Sequence, residues 1–569
     1  MGTRLRLIGI VFGLSSLVLL GRLFFWQVLK ADELSQQARL QHQSGEKISA
    51  QRGSILASDG TWLVASEESW LLWANTTRLK EPQRVIANKL APLLVEKTDD
   101  KEGLLKEAMN LEGLLSKDAQ WIALKHKVTP EIKKNIEAVK IEGIGFDPEE
   151  KRLYPEASAA AQVLGFVGKD SEGSDRGYFG LEGYYDLPLS GKPGFLQRES
   201  DARGNPILSA GSKEVSAVHG IDLFTHIDKT IQLVVERELA KGIEAYGASA
   251  GTVIIMDSKD GAVLAMASSP SYDPEKYFEY GNEFFKNPAI SDAFEPGSIF
   301  KPIVMAAALD AQVIKPDTKC DICDGPVKVD KYEIETWNKE YYPDSTMTDV
   351  IVHSDNVGMV FVGQKLGREK MFSYLTKFGI GMPSGIDLQG EANPGIRPDG
   401  KWNVVDLATT TFGQGIAVTP IQMIRAMAVI ASGGEVMVPQ IVDKIGQNGW
   451  EEDIKPEDGE RVISEKAAQE ITEMMVAAVK NGESKWTAAK GFKIAGKTGT
   501  AQIPVQGHYD EEKTIASFVG FAPADNPKFI MLVTLREPTS SPWGSETAAP
   551  LWFNIARQLF PYLGIQPES

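Results

Sequence analysis

The sequence predicts an α+β protein, on three observations. Strand-like segments stand at both ends of a long C-terminal part, helical patterns fill the space between them, and one isolated apolar span opens the chain. At 569 residues two or three domains are expected. The formal net charge of −17, with no clustered Lys and Arg, argues against a nucleic-acid partner.

The first element is Leu7–Leu29, whose single charge is Arg22. About 20 apolar residues cross a bilayer, and an off-centre arginine can reach the interface. No small-residue cleavage site follows the apolar core, which runs on past Arg22, so the span reads as an uncleaved anchor rather than a removed leader. Arg4 and Arg6 before it and the acidic bulk after it place residues 1–6 in the cytoplasm and everything beyond the span outside.

Residues 40–220 read as a non-catalytic spacer. A strand-like Gly53–Ala57 leads into the Asp59-Gly60 turn, charged helical patterns run from Pro82 to Ala138, and the glycine-rich, aromatic stretch Gly177–Asp186 reads as turns packed on a sheet. From Ile221 the pattern changes. Asp228 begins a helix with Ile231, Val235, Leu239 and Ile243 on one face. Thr252–Met256 and Ala262–Met266 flank an Asp-Gly turn as a hairpin. Further strands are expected at Lys493–Gln502, Ile515–Phe521 and Phe529–Leu535, and a helix at Ala549–Leu559. Strands from both ends around central helices describe an antiparallel sheet flanked by helices, over residues 221–569.

Three short motifs fall inside that region in the order Ser298-Ile-Phe-Lys301, Ser354-Asp355-Asn356 and Lys497-Thr498-Gly499-Thr500. A second S-x-x-K, Ser44-Gly-Glu-Lys47, lies in a polar stretch without helical pattern. Ser298 instead opens the apolar, Ala-rich helical run Lys301–Leu309. Positions three apart share a helix face, so Lys301 can take the Ser298 hydroxyl proton if burial or the nearby Lys497 charge keeps it neutral. The alternative is a helix-capping Ser and a solvated Lys. Ser354 and Asn356 near a helix start can relay a proton and hold a substrate amide, or simply cap the helix. Lys497–Thr500 continues a strand, where Gly499 removes a side chain in the path of a ligand backbone and the Thr498 and Thr500 hydroxyls can hold a carboxylate. It is otherwise a plain strand end. The backbone N–H groups of Ser298 and Thr500 are oxyanion-hole candidates.

The two cysteines, Cys320 and Cys323, read as a local disulfide or two idle thiols. Zinc would need two further ligands, the six histidines form no paired spacing, and no cofactor motif occurs. No metal or cofactor is expected.

In its three motifs the chain resembles the class B penicillin-binding proteins. Arg52-Gly53-Ser-Ile-Leu with Asp59-Gly60, Arg152-Leu-Tyr-Pro155, Gly165-Phe-Val-Gly168 and Gly180-Leu-Glu-Gly183 resemble landmarks of that family's elongated pedestal domain. Glu295-Pro-Gly-Ser298, Phe412-Gly-Gln-Gly415 with Thr419-Pro420, and Lys497–Ala501 resemble landmarks of its transpeptidase domain.

The resemblance implies a serine β-lactamase-like fold and a peptidoglycan D,D-transpeptidase with possible carboxypeptidase side activity. Ser298 would acylate on a stem peptide, Lys301 activate it, Ser354 and Asn356 assist, and Lys497, Thr498 and Thr500 hold the carboxylate. β-Lactams would trap Ser298. Ser354–Gly358 and Gly385–Glu391 resemble the division branch more than the elongation branch. The resemblance also implies a single-pass protein of the cytoplasmic membrane with its catalytic domain outside. Its partners would be a polytopic glycan polymerase and other division proteins. Asp355 departs from the Ser often found there. A β-lactamase, a β-lactam sensor and a non-catalytic scaffold are the alternatives.

Overall fold

The computed structural model describes residues 2–31, 34, 43–95, 100–199, 213–455, 459–505 and 508–568, and divides into two compact units. The first comprises Met1–Arg52, Ser69–Glu149 and Ser190–Gly220. Its leading helix, Gly2–Phe24, continues as a π-helical turn, Phe25–Leu29. Among the described residues, Leu7–Leu29 is the one helix long and apolar enough to cross a membrane, and its side chains are exposed. It fits a single-pass anchor. The Ser44–Lys47 decoy lies in an extended strand, Gln43–Ile48, paired antiparallel with Gly194–Glu199.

Helices Gln83–Leu94, Lys101–Leu115 and Pro130–Val139 of this unit enclose Leu72, Leu90, Leu111 and Ile136. Asp100 caps the second by accepting from the Glu102 and Gly103 N–H groups, and Thr129 caps the third. The helical reading of this stretch needs one correction. Trp121–Val128 is a strand, with Ile122 and Leu124 buried at period two and paired to Trp70–Asn75.

The second unit comprises Gly53–Glu68, Glu150–Leu189 and Ile221–Ser569. Its centre is an antiparallel five-stranded sheet of β1 Ala250–Met256, β2 Val263–Ser269, β3 Ala495–Val505, β4 His508–Ala522 and β5 Phe529–Arg536, in the order β2-β1-β5-β4-β3. Period-two alternation buries both faces. Val253 and Ile255 of β1 join Val235 of α1 (Lys229–Tyr246) and Trp552 of α5 (Ala548–Tyr562) in one layer. Ile254 and Met256 face a larger core with Ile303 of α2 (Lys301–Asp310), Val360 of α3 (Asn356–Leu366) and Met475 of α4 (Glu465–Asn481). Asp228 caps α1 through the Ile231 N–H, 3.0 Å away, so the expected helix start holds. The α+β class is as expected, with helices on both faces of the sheet.

Gly177–Asp186 is not simply turns. Asp175–Tyr178 is a strand and Gly180–Tyr184 a short helix. The glycines are there for close approach: a Cβ on Gly165 would lie 2.2 Å from the Phe179 carbonyl oxygen, and one on Gly180 2.4 Å from that of Val163. Three sequence landmarks meet here, because buried Arg152 donates to Glu182 Oε1 at 2.6 Å and to the Gly53 carbonyl at 2.9 Å. Cys320 and Cys323 are joined as a disulfide.

Candidate active site

Ser298 lies in a 3-10 turn, Gly297–Phe300, that runs directly into α2. Gly297 has φ +57° and donates its N–H to the Gly413 carbonyl at 3.0 Å. Gly413 must itself be glycine: its φ is +78°, and a Cβ there would sit 2.2 Å from the Gly297 oxygen. The Phe412–Gly415 loop is thus the bed of the nucleophile turn, and Gly415 N–H ties it to Glu295 Oε1 at 3.0 Å.

The first turn of α2 buries Lys301 completely. Its Nζ donates to the Ser354 carbonyl at 2.6 Å, Asn356 Oδ1 at 2.8 Å and Ser354 Oγ at 3.2 Å. These bonds join the first motif to the second, and Ser298 lines the cavity beside them. Burial, and then the Lys497 charge, push the Lys301 pKa down to about 7, against the opposing pull of Asp355 and Glu483.

The second motif sits between Met347–Val352 and α3. Ser354 has φ +55°, a conformation that costs a non-glycine residue roughly 1–3 kcal/mol and is held here by its surroundings. Asp355 caps α3, its Oδ1 accepting from Val357 N–H at 2.7 Å and Gly358 N–H at 3.2 Å. Its Oδ2 is buried without a hydrogen-bond partner among the described residues. Burial raises its pKa, while those N–H groups and Lys301 lower it.

The third motif lies on β3, the edge strand of the sheet. Lys497 is buried, which lowers its pKa, and Nζ donates to the Thr498 carbonyl and Oγ1, both at 3.2 Å. The Thr498 hydroxyl donates to Glu483 Oε2 at 2.8 Å. The Thr500 hydroxyl accepts from Gly544 N–H at 3.0 Å, which leaves its own proton free for a ligand. Gly499 is explained differently than expected. A Cβ there would fall 2.5 Å from Ser517 Oγ and 2.9 Å from Ile299 Cγ2, so the space it vacates is taken by the protein, not by a ligand.

Ser298, Ser354, Asn356, Thr498, Gly499 and Thr500 all line one cavity of about 350 Å3. Sequence reasoning missed three of its walls. Glu483 follows α4 in no motif, and Trp337 and Trp543, with ring centroids 5.1 Å apart, come from loops 206 positions apart. A serine hydroxyl lining the cavity, a buried lysine poised near neutrality, a hydroxyl-amide pair and a strand edge with a buried lysine form a set suited to serine acyl transfer onto a substrate bearing a carboxylate.

Comparison with known proteins points the same way. Residues 251–560 match the family model of the penicillin binding protein transpeptidase domain, and residues 47–225 that of the penicillin-binding protein dimerisation domain. Stage V sporulation protein D of Bacillus subtilis is 30% identical over 96% of this chain and 84% of its own length. Peptidoglycan D,D-transpeptidase FtsI of Escherichia coli is 29% identical over 97% of this chain and 90% of its own. Among solved structures, a peptidoglycan synthetase from Bifidobacterium adolescentis superposes with a TM-score of 0.74 at 25% identity, covering 93% of this chain and 98% of that one. Penicillin binding protein 3 of Mycobacterium tuberculosis, complexed with aztreonam, gives 0.70 at 25% identity, covering 92% and 98%.

Proposed function

The chain belongs to the penicillin-binding protein transpeptidase family, and from that premise we propose that it is a serine D,D-transpeptidase that cross-links peptidoglycan stem peptides in the division branch of wall synthesis. The observation that carries the reading is the convergence of the three motifs on one cavity around buried Lys301.

In this reading Ser298 Oγ attacks the carbonyl of the penultimate D-alanine as its proton passes to neutral Lys301 Nζ. The backbone N–H groups of Ser298 and Thr500 hold the developing oxyanion. Ser354 Oγ, which accepts from Lys301 Nζ, passes its own proton to the nitrogen of the departing D-alanine and takes one from Lys301, while Asn356 helps to place the substrate, leaving an ester on Ser298. The acceptor amine of a neighbouring strand then attacks that ester, its proton returning through the same groups. Lys497, Thr498 and Thr500 hold the terminal carboxylate of the donor. A β-lactam acylates the same oxygen and stays.

The apolar helix then tethers the catalytic unit to the cytoplasmic membrane, with residues 1–6 inside and the site outside, a direction supported by Arg4 and Arg6. A polytopic glycan polymerase that supplies fresh strands, together with other division proteins, is the partner set this arrangement suits. The test is mass spectrometry of the full-length protein after incubation with a fluorescent penicillin. One adduct per chain is expected, absent in Ser298→Ala. Rapid turnover of the drug would sink the reading in favour of a β-lactamase.

A further inference from the structure

The two threonines of the third motif are wired in opposite senses. Thr500 accepts a backbone N–H, so its hydroxyl proton is available to an incoming anion. Thr498 accepts from Lys497 Nζ at 3.2 Å and spends its one hydroxyl proton on Glu483 Oε2 at 2.8 Å. A carboxylate oxygen accepts, so the Thr498 hydroxyl is the donor of that short contact. Half of the proposed carboxylate-holding strand therefore already holds a carboxylate, and it belongs to the chain itself.

We propose that Glu483 is a specificity-determining residue, an internal anion that competes with the carboxylate of the incoming donor peptide or β-lactam for Thr498 and Lys497. The proposal rests on the transpeptidase reading above and deepens it. Glu483 lines the same cavity as Ser298, Thr498 and Thr500, so an arriving carboxylate meets it directly. Its charge also acts on both buried lysines of the site. Two like charges a few ångströms apart in a partly buried cleft repel strongly, so a ligand carboxylate can be seated only after Thr498 turns away from Glu483 or the Glu483 side chain swings aside. A carboxylate-bearing donor or penicillin is therefore seated only as that contact opens, so its acylation is slower than the same cleft would give with the Glu483 charge removed.

The test compares benzylpenicillin with its neutral methyl ester as acylating agents of the full-length protein in detergent, for the unaltered chain, Glu483→Gln and Glu483→Ala. The quantity read is the ratio of the two second-order acylation rates. That ratio is indifferent to the fraction of folded protein, so a partly misfolded variant still gives an answer. Removing the competing charge is expected to raise the anion-to-ester ratio about tenfold in both variants, a modest share of what a like charge at that distance can cost. A ratio that stays put or falls overturns the proposal, the second outcome showing that Glu483 helps to seat the carboxylate. Labelling that survives Ser298→Ala would instead sink the transpeptidase reading, whereas labelling lost in Ser298→Ala with an unmoved ratio sinks only the role of Glu483.

Discussion

Neutral Lys301 is the form that can accept the Ser298 proton, and an amine is neutral above its pKa. Acylation by a penicillin should therefore rise with pH through an apparent pKa of about 7. Asp355 pulls that pKa upward, so Asp355→Asn, which keeps the Oδ1 acceptor for the Val357 and Gly358 N–H groups, should move the rising limb to lower pH. Stopped-flow acylation across the pH range reads both effects, and a limb that stays where it was would mean that Asp355 is not felt at Lys301. At this scale much of the site was legible. Ser298, Lys301, Ser354, Asn356 and Lys497–Thr500 are readable because their chemistry demands particular residue types at short, fixed spacings. Glu483 was not, because it meets Thr498 through the fold, 15 positions away, and carries no spacing of its own.

A single loop decides whether the nucleophile turn can form. Gly413 at φ +78° lies against the Gly297 backbone, so Gly413→Ala adds both backbone strain and a clash. We expect a loss of roughly 1–3 kcal/mol of stability together with a more than tenfold fall in penicillin acylation, read by thermal melting and labelling rate. A melt that falls while labelling per folded molecule is unchanged would mean that the loop only stabilises. The elements around the site were largely readable, and the reasons for the misses are physical. Ile515–Phe521 is alternating and apolar and was found, but β4 extends back to His508 through polar residues whose strand state comes from pairing with β3. Trp121–Val128 was hidden among charged helical neighbours because its alternation is short and half of it faces solvent.

On the scale of the whole chain, buried Arg152 joins landmarks that local patterns cannot relate, since its partners Gly53 and Glu182 stand 99 and 30 positions away. Removing one member of a buried ion pair is destabilising, so Arg152→Met should cost about 3–5 kcal/mol, and Arg152→Met with Glu182→Leu should recover part of it. Melting curves of the two variants decide, and equal losses would mean that the pair contributes packing alone. Residues 40–220 read as one stretch, but their contacts place 53–68 and 150–189 with the sheet unit, information held only in distant pairings. Those pairings set a timetable. The Tyr185 hydroxyl bonds Asp387 across 202 positions, and Phe179 N–H bonds Gln389 across 210. A chain delivered N-terminus first at about 5–20 residues per second leaves the Phe179 N–H and the Tyr185 hydroxyl waiting roughly 10–40 s for these partners. Until then these groups lack their native partners, an interval that belongs to the making of the chain rather than to the stability of the finished fold.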